Sequence, residues 1–492
     1  MTDSTSEQLD PVKETAPSYR SVLSQAPVRI VAVSRFLSRM GAQIMTYGIM
    51  VFLAAAGSSQ FEISLAKSAS FLAALLFGLQ GGMLADSRPK RQILLISFAA
   101  LGAVCLLTPF LLGTSGGDLL FVIFVSSAIS QVVSPGLKSI VAIVSTPAEL
   151  ATTSALVNIV GSIGSSIGST FIAPFLIKQS GVDAILIVAG ILYLFSAIRI
   201  YRLPTAEALG KQETSKRLRD LDWKPRALSL RYNANWIMAN RPIASMLLVG
   251  ALSASLLQGV TALVPIFVRD VLVEDPTNSV YIFILSGVGF FVGASISPKL
   301  IKRFTERRVA VWSLALMAVS VILFSMIKAL DKPLAVISPL RLVNLFTDAN
   351  LSDAVLAAGL IAFPANLGST MCLQAVQVYI NRNVPENQQG GVFGLQQVQE
   401  NVLNLFVILL LGLIAVVTGP QYIFLFAPIV VGALGLALLS YVFWHSTGKA
   451  PHLSESLGFL VEDQPPGEIH DVESGGRDAH KSAENESTPR DR

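Results

Sequence analysis

Ionisable side chains inside long apolar segments are the residues of this sequence best suited to chemistry. Glu400 is the only carboxylate well inside such a segment, where a charge costs several kcal/mol to bury. Amide side chains accompany it on the same stretch: Gln396, Gln397, Gln399, Asn401 and Asn404. We predict that Glu400 takes up and releases a proton. The alternative is a polar vestibule in which Glu400 pairs with a basic residue.

Basic residues also lie inside apolar segments, among them Arg35, Arg39 and Lys138. Arg35 and Arg39 are one helical turn apart, so they share a face of one helix. We predict that Arg39 and Lys138 line a central cavity and attract an anionic or zwitterionic substrate. The alternative is contact with lipid headgroups or pairing with acids. Further cavity candidates are amides, which either bind a ligand or only hold helices together: Gln131, Asn158, Gln258 and Gln374.

The composition excludes an ordinary soluble domain. Of 492 residues, 52% are hydrophobic and 14% are charged, whereas soluble domains carry about 25% charged residues. Such a surface needs lipid as its solvent. Cys105 and Cys372 lie inside apolar runs, and all four histidines lie at or beyond the end of the last run. We therefore expect no disulfide framework, no metal site and no cofactor.

Apolar runs and the charged breaks between them predict an all-α membrane protein with twelve transmembrane helices in two pseudo-symmetric six-helix bundles. The predicted helices are 29–56, 62–85, 92–113, 119–142, 152–177, 183–202, 243–268, 279–299, 309–328, 354–380, 391–418 and 421–445. The predicted domains are an N-terminal tail (1–28), a first bundle (29–203), a linker (204–241), a second bundle (242–445) and a disordered acidic tail (446–492).

Basic residues fall mainly on one side of this arrangement. The connection after the second helix and the central linker are rich in Lys and Arg, and several connections on the opposite side have none. By the positive-inside rule, both termini of this multi-pass cell-membrane protein are expected in the cytoplasm. Two alternatives are open for the linker: a tether between the bundles, or a helix on the membrane surface. The connection 329–353 is a long loop in which 338–346 is a candidate short amphipathic helix.

The strongest motif is GGMLADSRPKR, residues 81–91, at the end of the second helix. It resembles the signature of the major facilitator superfamily between its second and third helices. The resemblance implies a conformational latch formed by Gly82, Asp86, Arg88, Lys90 and Arg91. Two residues depart from the signature, Ser87 in place of an arginine and Pro89 in place of a glycine.

The resemblance also implies a mechanism. The Asp86 carboxylate would face the N-terminus of the eleventh helix, near Gly390, in the outward-open state, where free N–H groups stabilise an anion. Breaking that contact would let the bundles rock in alternating access. A degraded second copy of the motif, with Lys302 in the place of the acid, precedes Arg307 and Arg308.

Other stretches resemble the superfamily branch of macrolide-efflux and siderophore-export proteins: SRMG (38–41), SPGLKSIV (134–141), PAELATTSALVNIVGSIG (147–164), VPIFVRDVL (264–272) and VPENQQGGVFGLQ (384–396). The resemblance implies proton-coupled efflux of a hydrophobic small molecule, either drug-like or a secreted metabolite. One alternative is a carrier of lysophospholipids or other anionic metabolites. Another is a sensor that has lost transport, although a sensor has no need of Asp86.

The expected partners are a small-molecule substrate, protons and the lipid bilayer, with the protein as a monomer. No Gly-x-x-x-x-Gly-Lys-Ser/Thr loop is present, so ATP is not the expected energy source. No cluster of His, Cys or paired carboxylates shares one depth, so an enzyme is not expected. Nothing in the sequence predicts a nucleic-acid partner.

Overall fold

The computed structural model describes residues 19–86, 89–111, 113, 115–146, 149–205, 207–209, 234–346, 351–419 and 422–447. Its helices are α1 (Tyr19–Ser24), α2 (Ala26–Ala55), α3 (Gln60–Asp86), α4 (Lys90–Leu111), α5 (Gly116–Val144), α6 (Leu150–Ile167), α7 (Ala173–Tyr201), α8 (234–239), α9 (Arg241–Asp270), α10 (Ser279–Phe304), α11 (Glu306–Ser325), α12 (Ile327–Ile337), α13 (Arg341–Phe346), α14 (Asp353–Asn383), α15 (Glu386–Thr418) and α16 (Ile423–Thr447).

The predicted all-helical membrane fold is confirmed. Within the described residues, eleven helices are long and apolar enough to cross a membrane. Each coincides with a segment predicted from the sequence. The remaining predicted segment, 152–177, is divided between α6, a π-helical turn (Gly168–Ile172) and the first part of α7. Gly181 then breaks α7 with non-helical angles (φ 75°, ψ −166°), so the sixth segment begins after it.

Glycines explain why α6 packs closely on α2. A Cβ on Gly164 would lie 2.5 Å from the Phe36 backbone oxygen, and one on Gly168 would lie 2.6 Å from the Met40 oxygen. Only residues without side chains allow two backbones to approach this closely. The glycine-rich fifth segment therefore has a packing role in this fold.

Helix pairings repeat between the two halves of the chain. In the first half, α2 packs on α6 and α7, and α5 packs on α3 and α4. In the second half, α9 packs on α15 and α16, and α14 packs on α10 and α11 in the same way. The main contact between the halves joins α3 to α15. The chain therefore forms two bundles of the same design.

The structure differs from prediction in the connections. Residues 327–337, expected mostly as loop, form the amphipathic helix α12, whereas the predicted short helix at 338–346 is matched in part by α13. Part of the linker is α8, whose Trp236 is 2% exposed and packs beside Ile301 and Val309 of the second bundle. The first turns of α2 and all of α1 occupy the predicted N-terminal tail. The middle of the linker and the acidic tail lie outside the described residues.

Candidate substrate cavity

The two bundles enclose a cavity of about 620 Å³. We call the end where α3 ends and α4 begins the basic end, and the end where α2 ends and α3 begins the far end. The cavity lies toward the basic end, because it is lined by residues near the start of α6 and α15 and near the end of α5 and α14. Its lining is Arg35, Ser134, Leu137, Lys138, Val141, Ala142, Leu150, Ser154, Val157, Asn158, Asn381 and Phe393.

Two predicted cavity residues lie on this wall. Lys138 and Asn158 both line the cavity, and both side chains are exposed. Arg35 lines it as well and is half-buried. Arg39 is one turn farther along α2 on the same face, about 6 Å deeper. It is exposed in the middle of its helix but is not itself among the lining residues.

A spacing of seven residues places three other candidates deeper on the same faces. Seven residues make nearly two turns of helix, about 10 Å. Gln131 precedes Lys138 by seven residues, Gln374 precedes Asn381, and Glu400 follows Phe393. All three are half-buried. Because α5 and α14 run toward the basic end and α15 runs away from it, all three lie farther from that end than the lining residues.

Two predicted cavity residues, Gln131 and Gln258, are not among the residues that line the cavity. The Gln131 side chain donates a hydrogen bond to the Ser127 backbone oxygen (3.2 Å), and its backbone touches α3, where a Cβ on Gly81 would lie 2.5 Å from the Gln131 oxygen. Gln258 is half-buried on α9 and is not part of the cavity lining. A packing role, which the sequence left open, fits Gln131.

Glu400 lies in an amide-rich environment. Gln396 Nε2 donates a hydrogen bond to Glu400 Oε1 at 2.8 Å. One turn deeper, Asn404 is 4% exposed and its Oδ1 has no hydrogen-bond partner. Across the described residues, no basic side chain forms an ion pair with Glu400. The Glu400 carboxyl is therefore held by an amide that tolerates both its protonated and its ionised forms.

The structure describes part of the motif 81–91, which was predicted to form the conformational latch. Lys90 Nζ donates a hydrogen bond to the Ala85 backbone oxygen (2.8 Å), which places a cation at the C-terminus of α3. Arg91 Nη2 donates to the Tyr201 backbone oxygen (2.5 Å) and its guanidinium lies 5.2 Å from the centre of the Tyr201 ring. Gly82 lies inside α3. The Asp86 side chain and Arg88 lie outside the described residues.

The helix expected to receive Asp86 begins earlier than predicted. α15 begins at Glu386, whereas the sequence placed its start near Gly390. Pro385 immediately precedes the helix, and proline is well suited to a helix boundary because it lacks an N–H. The N-terminal turn of α15 is therefore one turn nearer the basic end.

The far end is closed by contacts between the bundles. Arg269 at the end of α9 donates hydrogen bonds to the backbone oxygens of Ala54 and Ser58, at 2.6 and 3.1 Å. Gln60 at the start of α3 donates to Asp270 at 2.9 Å. These contacts were not predicted, because Arg269 and Asp270 looked like ordinary residues of a connection.

A second closing contact lies deeper, at Tyr47. Its hydroxyl is 2.9 Å from the hydroxyl of Ser279 on α10, in a buried position. The Tyr47 ring meets the Phe283 ring edge to face at 5.1 Å. The two bundles therefore share a cavity at one end and are sealed at the other.

Sequence comparison identifies the family of this fold. The model of the Major Facilitator Superfamily matches residues 31–351. The chain belongs to the major facilitator superfamily. No curated protein sequence matches this chain, and none of these findings identifies the macrolide-efflux or siderophore-export branch.

Solved structures of superfamily transporters share the fold at low sequence identity. The nucleoside transporter NupG is 16% identical, with a TM-score of 0.59 over 85% of this chain and 98% of that one. A D-xylose–proton symporter is 11% identical, with a TM-score of 0.58 over 88% and 100%. A bacterial homologue of the iron transporter ferroportin, in an inward-facing state, is 15% identical, with a TM-score of 0.54 over 83% and 98%. At these identities the likeness establishes the fold and not the substrate.

Proposed function

We propose that this superfamily member is a proton-coupled exporter of a hydrophobic small molecule, either drug-like or a secreted metabolite. The observation that carries the proposal is the cavity shared by both bundles and sealed at the far end by Arg269 and Tyr47. Alternating access needs a site of this kind, which faces one side while contacts close the other.

The basic end supports a cytoplasmic opening of the cavity, as an exporter needs for loading. Lys and Arg concentrate in the connections at that end, which by the positive-inside rule faces the cytoplasm in the cell membrane. In the conformation described, the cavity would then be loaded from the cytoplasm. Loading from the cytoplasm is the first step of export. The positive-inside rule also supports cytoplasmic chain termini.

Glu400 is the proposed proton carrier. It shares a face of α15 with Phe393 of the cavity wall and accepts a hydrogen bond from Gln396. Because no described basic residue pairs with it, this carboxyl can change its protonation state as the cavity changes sides. Asp86 is not proposed to carry the proton; it is proposed to be the latch that stabilises the outward-open conformation.

Growth of a bacterium stripped of its main efflux pumps tests this function. Cells making the protein are challenged with a broad compound panel, beside the variants Asp86→Asn and Glu400→Gln. Asp183→Asn and Glu207→Gln are matched controls, since both native side chains are exposed and lie outside the cavity lining. We expect protection that the two test variants lose and the two controls keep, at equal amounts of protein in the membrane.

Absence of protection against every compound would count against a broad exporter. The second candidate is then a carrier of lysophospholipids or other anionic metabolites. It is favoured by the basic side chains of Arg35 and Lys138 on the cavity wall. Uptake into proteoliposomes separates this candidate from a sensor, because a sensor moves no substrate under any gradient.

A further inference from the structure

We infer that the transported molecule is an amphipathic organic anion whose charged group binds between Arg35, Arg39 and Lys138. The inference rests on the proposed function, since it assigns the substrate class of the same cavity. The evidence for this substrate class does not depend on the direction of transport or on proton coupling, because it concerns only the charged side chains at the cavity.

The three basic side chains have no counter-charge among the described residues. Within the described part of the chain, none of them forms an ion pair or a side-chain hydrogen bond. Some other cations of the protein are paired, as Arg269 is with Asp270 and Arg382 is with Glu306. The cavity therefore groups three cations whose charges no described acid compensates.

Electrostatics makes this arrangement unfavourable when the cavity is empty. Arg35 and Arg39 carry like charges one turn apart on one helix face, and like charges at that spacing repel. Lys138 on α5 adds a third positive charge to the wall of the same cavity. Field lines concentrate in a cleft with low-dielectric walls, so an anion is attracted into it. One bound anion would be attracted by all three charges and would reduce their mutual repulsion.

The rest of the cavity wall selects an apolar body. Leu137, Val141, Leu150, Val157 and Phe393 line the same space. A volume of about 620 Å³ lies within the range that holds a drug-sized ligand. Asn158 adds one hydrogen-bonding side chain beside the cations. A molecule with an acidic group and an aromatic or aliphatic body matches both parts of the wall.

The acidic group has two possible sources with the same chemistry. It is either the phosphate of a lysophospholipid or the carboxylate or sulfonate of a free small molecule. Arg is suited to both, because its planar guanidinium binds two oxygens of one anion. A lipophilic cation is disfavoured, since no carboxylate is among the described residues that line the cavity, and Glu400 lies about 10 Å deeper than Phe393.

Binding of a matched pair of fluorescent probes tests the inference. The probes are 8-anilinonaphthalene-1-sulfonate and N-phenyl-1-naphthylamine, which share an aromatic frame and differ by the sulfonate. Both are titrated onto the full chain in nanodiscs of zwitterionic lipid, with empty nanodiscs subtracted. We expect Arg35→Gln, Arg39→Gln and Lys138→Gln each to weaken binding of the sulfonate about tenfold. Binding of the uncharged probe should not change.

Two controls separate charge from folding. Lys302→Gln removes an exposed cation outside the cavity lining and should leave both probes unaffected. Arg39→Lys keeps the charge and should restore most of the sulfonate binding that Arg39→Gln loses. Unchanged sulfonate binding in all three cavity variants, or equal weakening of both probes, would overturn the inference.

Competition identifies the source of the anion. Displacement of the bound sulfonate by lysophosphatidylglycerol supports a lipid substrate, and displacement by 2-naphthoate supports a free organic anion. Displacement by neither overturns the inference. If the three variants weaken sulfonate binding but the protein exports no compound, the proposed export is wrong and the anion site is retained. Export that is fully retained in Arg39→Gln would remove the anion site alone.

Discussion

The Arg269 guanidinium donates a hydrogen bond to the Ala54 backbone oxygen at 2.6 Å, joining the last turn of α9 to the last turn of α2. These two helices are the first of each bundle, so the contact connects equivalent positions of the two halves. Asp270 holds the guanidinium in place through a hydrogen bond from Nε at 2.6 Å. The contact keeps the far end closed while the cavity remains at the basic end.

Removal of Arg269 should favour opening of the far end. A hydrogen bond from a charged, partly exposed group contributes about 1 kcal/mol, so Arg269→Ala should raise the open population about fivefold. The reporter is Val51→Cys, since Val51 is fully buried and packs in one cluster with Phe283 of the other bundle. Its rate of maleimide labelling measures opening, and the native cysteines are both buried.

Lys328→Ala is the matched control for this experiment. Lys328 is an exposed cation on α12 whose side chain forms no ion pair or hydrogen bond among the described residues. Its removal should leave the labelling of Val51→Cys unchanged. If Arg269→Ala labels no faster than the parent protein, the Arg269 contact does not hold the far end closed.

A side chain at Gly412 should prevent the same closure. A Cβ there would lie 2.4 Å from Ser64 Oγ and 2.5 Å from Ser64 Cβ, across the contact between α15 and α3. Gly412→Ala should therefore destabilise the described conformation by about 1–3 kcal/mol, measured as a lower melting temperature and faster Val51→Cys labelling. Gly432→Ala is the control, because nothing lies within 4 Å of its Cβ.

A second change should reverse the effect of Gly412→Ala. Ser64→Gly removes both atoms that the new methyl group meets, so the double variant should recover most of the lost stability. Ser64→Ala keeps the Cβ and should not rescue. Equal stability of Gly412→Ala and the parent protein would mean that α3 and α15 are farther apart than described.

Tyr47→Phe should have a smaller effect. It removes the hydrogen bond to Ser279 but keeps the ring against Phe283, and Ser279 still donates to the Pro276 backbone oxygen at 2.6 Å. No buried hydroxyl is left without a partner, so the expected loss is about 1 kcal/mol of unfolding free energy. Chemical unfolding measures it, and Phe283→Ala, which also leaves a cavity, should cost more.

Acid should loosen the start of the chain through Glu149. Thr146 Oγ1 donates to its carboxylate at 2.8 Å and Gln25 Nε2 at 2.7 Å, and these bonds hold the pKa of Glu149 below its ordinary value. A lowered pKa stabilises the fold above the ordinary value of about 4.3, and that contribution is lost as pH falls through the lowered pKa. Near neutral pH, a change of pH should not alter the stability of α1, because the contribution of Glu149 is fully present there.

Hydrogen exchange in α1 measures this effect. Amides of Tyr19–Ser24, corrected for intrinsic rates, should lose protection in acid in the parent protein. Glu149→Gln should show the same protection at every pH, because its amide does not titrate. Acid-induced loss of protection that persists in Glu149→Gln would assign the effect to another group.

The sequence allowed the spanning helices to be predicted because apolar length and charged breaks are local properties. The division of the fifth helix could not be predicted in the same way. A π turn depends on how Gly168 meets Met40 of another helix. The far-end contacts were missed for a similar reason, since Arg269 binds backbone oxygens that have no signature in the sequence.

The candidate site was partly predictable. Lys138 and Asn158 were selected as charged or polar residues in apolar segments, and both lie on the cavity wall. The side-chain type alone did not separate them from Gln258, which is outside that lining. Knowledge of helix direction and of the seven-residue spacing would have grouped Gln374 with Asn381 and Glu400 with Phe393. The role of each candidate in transport stays a prediction.

The π turn at Gly168–Ile172 changes the angular phase of the fifth helix. A π turn accommodates one extra residue, which rotates every later side chain by about 100° relative to an uninterrupted α-helix. A single helical wheel drawn through both parts would scatter one functional face over two sides. A mutational scan of this helix is therefore interpretable only on two separate wheels, one ending at Ile167 and one beginning at Ala173.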